Sequence, residues 1–448
     1  MLFRKYKDQY IQLLRLAAPV VFSQVGIASV QLFDNAMVGK LGELPLAAAS
    51  FAGTVFFMIF IFVTGLSMAL TPLVGEQYIQ GKFRSVAAYF QNSIVFYTLI
   101  GVVTFAIQYS LIPLMYYMKQ PVEVVNMAIP YYKMLAWSII PHMIFASFKQ
   151  FLEGIGNTTA NMVIIISANL INVLFNWLLI YGNWGFPRLE ALGAGVATLI
   201  SRCCMPVFAI LYFVCKERIR RYFRYFKRSN FSWTYIKSLA SVGFPISLQM
   251  LMEGAAFALT SIMMGWIGTT AIAANQIALT VSNFAFMVVV GISAATTIRI
   301  SHEYGRKNLK QLKRAANASY RLTLMWNAFT ALMFILFRTQ IASIFNSNPA
   351  VIEQAAYLML FVAAFQFSDG LQSISVGILR GIQDVKRVMV IAFFSYLVIN
   401  LPVGYLFAFI LGWGPGGLWV GFIFGLSIAA ILLITRFRYQ YKLLWQKL

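Results

Sequence analysis

Charge is scarce in this chain of 448 residues. Only 11% of it is Asp, Glu, Lys or Arg, against about 25% in a soluble domain. With 60% hydrophobic residues and a mean hydropathy of +0.76, no water-facing surface can be built around it. Acids are scarcest: 13 against 35 basic residues, a formal net charge of +22. Cysteine and histidine are nearly absent. Cys203, Cys204 and Cys215 exclude a disulfide framework and form no C-x-x-C pair, and the two histidines are far apart. A His/Cys metal site is therefore not expected. No catalytic constellation is apparent, so no enzyme is expected. A cleavable leader is not expected either, because the basic start MLFRKYKDQY runs into a full-length span with no short apolar core and cleavage site.

What fills the chain instead is long apolar runs. A hydrocarbon layer about 30 Å thick takes ~20 apolar residues per helix. Twelve segments qualify: 13–38, 47–71, 86–111, 128–152, 160–181, 192–215, 239–267, 271–299, 315–337, 352–379, 388–411 and 416–436. Barrel strands would be ~10 residues long and alternating, which these runs are not. With both ends placed inside, the inner segments hold 27 lysines and arginines and the outer loops five. That bias predicts a multi-pass protein of the cell inner (plasma) membrane with cytoplasmic termini. The basic residues lie between apolar runs, so their partner is the anionic face of the bilayer, not nucleic acid.

The chain also matches itself. A shift of 226 lays Pro19 on Pro245, Gly39 and Gly42 on Gly265 and Gly268, Gly65 on Gly291, Thr71 on Thr297, and Gly195 on Gly421. A shift of 227 lays FLEGIGNTT from Phe151 on ILRGIQDVK from Ile378. The predicted fold is thus all-α: twelve transmembrane helices in two pseudo-symmetric six-helix bundles, residues 1–226 and 227–448. Six helices per half give both halves the same orientation, the parallel-repeat arrangement of several transporters. One chain holds both lobes, so a monomer suffices.

With thirteen acids, each can be placed. Most lie in loops or at helix ends and read as solvated or capping. Glu153 and Asp384 read as structural groups at the cytoplasmic rim, with Asp384 spaced i,i+4 from Arg380. Three acids fall inside spans: Asp34, Glu253 and Asp369. A carboxylate at a helix centre costs about 2.5–3.5 kcal/mol on insertion scales, and such groups usually serve ion or substrate pathways. Polar neighbours share their helix faces. Gln24 and Gln31 line up with Asp34, Gln249 precedes Glu253 by four, and Gln366, Gln372 and Ser373 cluster near Asp369. Asn169, Asn172 and Asn176 form one stripe and Gln276, Thr280 and Asn283 another. Such stripes cannot face lipid, and serve either helix-to-helix hydrogen bonding or ligand binding. Pro19 and Pro245, in matching helices before carboxylates, are candidate hinges. Methionines and phenylalanines could line an adaptable cavity. Among basic residues inside spans, Lys149 and Arg202 are the plausible interior cations.

These residues resemble a known family. QLFDNAMVGKLG around Asp34, LINVLFNWLLIYG from Leu170, GAGVATLIS from Gly193, GFPISLQMLMEGAAF from Gly243, AANQIAL from Ala273 and FQFSDGLQSISVGILRGIQD from Phe365 are similar to multidrug and toxic compound extrusion transporters, most nearly the NorM-like branch. The resemblance spans nearly the whole chain in order. It implies export of cationic lipophilic drugs in exchange for Na⁺ or H⁺, with no cofactor. By resemblance, Asp34 matches the N-lobe acid, with Asn172, Asn176 and Thr198 around it. Glu253 and Asp369 match the C-lobe cation-site carboxylates, and Gln276 a cavity position. Where related proteins carry a tyrosine four residues before the C-lobe aspartate, this chain has Phe365, so an oxygen is expected to be missing there. The residues leave Na⁺ and H⁺ both open at Asp34 and at Glu253 with Asp369. They also leave two other classes open. A lipid-linked oligosaccharide flippase of the same superfamily is expected to have a more basic cavity. A non-transporting receptor or scaffold would leave the three acids without a purpose.

Overall fold

The computed structural model describes residues 2–227 and 230–446, and of 2–5 and 218 the backbone alone. Arg228 and Lys447 of the cytoplasmic basic set lie outside the described residues, as do the side chains of Arg4, Lys5 and Arg218. In lipid every backbone N–H and C=O must be satisfied within the segment, and the chain answers with helices. They are α1 Leu2–Gly39, α2 Glu43–Ser67, α3 Leu70–Ile79, α4 Phe83–Ser110, α5 Val122–Trp137, α6 Ile139–Gly154, α7 Thr158–Tyr181 and α8 Ala191–Cys215. There follow α9 Trp233–Ile267, α10 Thr269–Gly305, α11 Leu309–Leu336, α12 Arg338–Phe345, α13 Pro349–Gly381, α14 Val385–Ala392, α15 Leu401–Tyr405 and α16 Pro415–Gln446. Among the described residues there is no strand.

Ten helices are long and apolar enough to cross a membrane, and an eleventh forms if α11 and α12, bent by 77°, count as one. The predicted span 128–152 is instead divided at Ser138 into two helices of 16 residues. The protein is a multi-pass membrane protein of all-α class. The internal repeat is visible in its turns. Gly42 (φ 124°) and Gly268 (φ 149°) occupy the same turn of the two halves, in backbone conformations open to glycine.

Two compact units form: Phe22–Ser247, and Leu248–Leu448 together with Met1–Val21. The divisions therefore fall inside α1 and α9, not at 226/227. Each lies two residues after a helical proline, Pro19 and Pro245, at positions equivalent under the repeat. The first turns of α1 join the second unit because Leu13 and Ala17 are buried against Ile292 and Ala295 of α10. In the first unit the ring of Phe90 lies 4.4 Å from that of Phe151 and 5.3 Å from that of Phe213.

Two acids behave differently from their sequence reading. Arg380 and Asp384 do not share a helix: α13 ends at Gly381 and Gln383 has φ 64°, so the i,i+4 pairing is broken. The Asp384 carboxylate accepts instead from Arg436 Nε at 2.6 Å and Gln440 Nε2 at 3.0 Å. Glu303, at a helix end, is buried and takes both Arg299 and Arg306, at 3.3 and 3.0 Å.

Candidate membrane-embedded carboxylate sites

In the Phe22–Ser247 unit, close helix approach builds a polar line. Gly26 of α1 faces the Asn169 side chain of α7, and Gly193 of α8 lies against the Leu179 carbonyl, where a Cβ would stand at 2.6 Å. These contacts bring Asp34, near the end of α1, onto the asparagine stripe of α7. Asn176 Nδ2 donates to Asp34 Oδ1 and also to Asn172 Oδ1 at 3.1 Å. Asn172 Nδ2 in turn reaches Thr198 Oγ1 of α8 at 3.5 Å, and the threonine hydroxyl donates to the Ala194 carbonyl. Asn172 and Asn176 are buried, whereas Asp34 is half-buried. Asn176 Oδ1, on the same side chain that binds Asp34, is buried and has no hydrogen-bond partner. A buried acceptor left unpaired costs about 1–3 kcal/mol, which a bound cation or proton donor would recover.

One turn beyond Thr198, the half-buried Arg202 lies within electrostatic reach of Asp34. Its guanidinium stands 4.7 Å from the Phe60 ring centroid and 5.2 Å from that of Phe56. Nη1 donates to Ser138 Oγ at 2.8 Å.

In the other unit the carboxylates are held differently. Gln249 Nε2 donates to Glu253 Oε2 at 2.8 Å, one turn along α9. Arg380, from the end of α13, donates from Nη2 to Gln249 Oε1 at 2.6 Å, and its charge acts on Glu253. Asp369 is buried and interacts electrostatically with Glu253. Gln366, one turn before it, is fixed by Thr330 Oγ1, which donates to Gln366 Oε1 at 2.7 Å. Gln372 is buried on the same helix. Phe365 is packed into an aromatic cluster, 5.3 Å from Trp419 and 5.9 Å from Phe422, so no oxygen stands there. A phenol arrives from elsewhere: the fully buried Tyr396 lies beside Glu253, on the π-helical segment Phe393–Asn400.

Gln31, Gln276 and Asn283 are exposed, and among the described residues none bonds to either carboxylate group. On α10 the buried polar residue is Asn275, one position before Gln276. Its Oδ1 accepts from Trp419 Nε1 at 3.1 Å.

Comparison with known proteins follows the same division into halves. The MatE family model matches residues 19–178 and 245–406. The chain belongs to the MatE family. The two matches start 226 residues apart (245 against 19), the shift found by self-comparison. This MatE protein is 30% identical to the Multidrug resistance protein NorM of Photobacterium profundum, over 97% of this chain and 96% of that one. It is 33% identical to the Probable multidrug resistance protein NorM of Rhizobium meliloti, over 95% and 92%. It is also similar in fold to an outward-facing multidrug resistance MATE family transporter of the MOP superfamily, with TM-score 0.89, 21% identity, and 98% and 97% of the chains covered. It is a transporter and not an enzyme.

Two residues of this MatE protein's sites escape the sequence. Arg380 reads as a loop cation because it falls at the edge of an apolar run. The repeat register, which lays it on Glu153, is the one signal that it belongs to the helix. Tyr396 lies in an unbroken apolar run and carries no signal until the winding of that run is known.

Proposed function

We propose that this MatE-family protein is a secondary antiporter of the cell inner membrane. It exports cationic, lipophilic small molecules in exchange for Na⁺ or H⁺, as a monomer with both ends in the cytoplasm. The observation that carries the reading is Asp34 with the unpaired Asn176 Oδ1 beside it. A carboxylate in low dielectric needs a compensating positive charge. Asp34, Asn176 Oδ1 and Thr198 Oγ1 are hard oxygen donors of the kind a sodium ion takes, and a protonated Asp34 could instead donate to the amide oxygen. A drug cation satisfies the same carboxylate, and the guests exclude one another. Glu253 and Asp369 repeat the logic. Two acids face one arginine, so the group carries a surplus negative charge for a guest. The multidrug resistance names of relatives at 30–33% identity support drugs as the second guest. An inward charge moving through 100 mV releases about 2.3 kcal/mol, enough to drive a tenfold or greater drug gradient. Exposing the carboxylates alternately to the two sides, with Pro19 and Pro245 as hinges, completes the cycle.

The test is ethidium transport in proteoliposomes under imposed Na⁺ or H⁺ gradients. Flux is expected under one of them, with ethidium in turn driving the ion. Glu253→Gln should cut coupled flux at least ~10-fold, because Arg380 then faces one acid and the surplus charge is gone. Absence of gradient-driven flux in the wild type would overturn the export reading. Wild-type flux in the glutamine variant would remove Glu253 from coupling.

A further inference from the structure

We infer that Arg202 makes the Asp34 site a dipolar one, selecting drugs that carry a carboxylate as well as an ammonium over drugs that carry an ammonium alone. The inference rests on the export reading and deepens it by naming the substrate class. It begins from an oddity of cost. A site that serves only cations gains nothing from a guanidinium close enough to oppose them, yet Arg202 lies within electrostatic reach of Asp34. It is not there to neutralise the acid by contact. Among the described residues no ion pair joins the two, and Asp34 is bonded to Asn176 instead.

The arginine is held apart from Asp34 by partners of its own. Phe60 and Phe56 offer ring faces at 4.7 and 5.2 Å, a stacking to which the planar guanidinium is suited and a lysine is not. Ser138, at the break between α5 and α6, accepts one N–H at 2.8 Å. Among the described residues that is its one hydrogen bond. The side chain is only half-buried, so the rest of its donor fork is available to a guest. Tyr131 senses both charges, which places the acid and the arginine around one shared space within the unit. The result is a negative and a positive group, each fixed, at a separation neither can close. A planar fork of donors suits a carboxylate, and the acid suits an ammonium. A ligand with both groups satisfies both ends, whereas a simple cation meets Arg202 as a like charge.

The experiment uses full-length protein in proteoliposomes and two dyes that differ by one ester. Rhodamine 123 is the methyl ester and a cation; rhodamine 110 is the corresponding acid, able to present a carboxylate with its cationic ring system. Wild-type protein is expected to export rhodamine 110 about 10-fold better in rate over KM, the factor of a charge-assisted hydrogen bond. Arg202→Gln should abolish that preference by lowering rhodamine 110 transport while leaving rhodamine 123 transport equal or raised, and Arg202→Lys should keep part of it. Equal handling of the two dyes by the wild type, or an equal fall for both in Arg202→Gln, would overturn the inference while leaving export intact. Should Arg202→Gln fail to fold, the wild-type ratio alone decides. Failure of the wild type to move ethidium or either dye would instead defeat the export reading beneath it.

Discussion

Asp34→Asn is expected to reduce gradient-driven ethidium efflux about 30- to 100-fold while leaving the folded protein intact. The substitution keeps the size of the side chain and an oxygen for Asn176 to donate to, so the geometry at the end of α1 survives and only the charge goes. At about 4 Å and an effective dielectric of 20, a carboxylate and a cation attract by about 4 kcal/mol. Asp34 is half-buried, so solvent screens part of that. About 2–3 kcal/mol remains, and each 1.4 kcal/mol is a factor of ten. Asn176→Ala offers the contrast. It removes the donor to Asp34 but leaves the charge, and water can reach the half-exposed carboxylate. The expected loss is therefore smaller, about 5- to 10-fold. Initial rates in proteoliposomes, with protein content matched, measure both. If the asparagine variant pumps like the wild type, Asp34 is no part of the coupling.

How much of this could be read beforehand follows from what apolar length encodes. A run such as Ala160–Tyr181 or 192–215 has one stable form in lipid, a helix, so the spans and the acids inside them were legible. The asparagine stripe was legible too, since Asn172 and Asn176 lie one turn apart and meet Asp34 through Asn176. What composition does not encode is rotation and local winding. Gln276 and Asn275 differ by one position and by about 100° around α10, and the sequence offers no means of choosing which is buried. Tyr396 reaches Glu253 from a π-helical stretch, and wide turns of this kind often mark functional sites. Arg380 was assigned to a loop on charge alone, although its long side chain returns along the helix to Gln249. The division of the units inside α1 and α9 was hidden because a proline in a lipid-buried helix has no single structural meaning.

Gly421→Ala is expected to destabilise the protein by about 3 kcal/mol, and Gly421→Leu to prevent its accumulation. Gly417, Gly421 and Gly425 recur every fourth residue on α16, a small-residue stripe of the kind that lets membrane helices approach closely. The neighbour is the stretch from Phe393 to Ile410, wound partly as π-helix. A Cβ on Gly421 would stand 2.5 Å from the Asn400 carbonyl oxygen and 2.7 Å from Gly404 Cα. On Gly417 it would stand 2.4 Å from Ala408 N, and on Gly425 2.7 Å from the Ser395 carbonyl. The obstacles are backbone atoms, which no rotamer change can move, so helix separation is the only relief. Overpacking of this kind costs about 1–3 kcal/mol and sometimes more, and separation also disturbs the segment that carries Tyr396. Gly265→Ala is the matched control. Its nearest neighbour would be the Ile272 side chain at 3.7 Å, an ordinary contact, and alanine in a helix is favoured over glycine by about 0.5–1 kcal/mol. Thermal denaturation of the detergent-solubilised proteins, followed by size-exclusion chromatography, should therefore move the two alanine variants in opposite directions. Melting of Gly421→Ala at or above the wild-type temperature would mean that α16 and its neighbour do not pack backbone to backbone, and that Tyr396 is not held beside Glu253 by this contact.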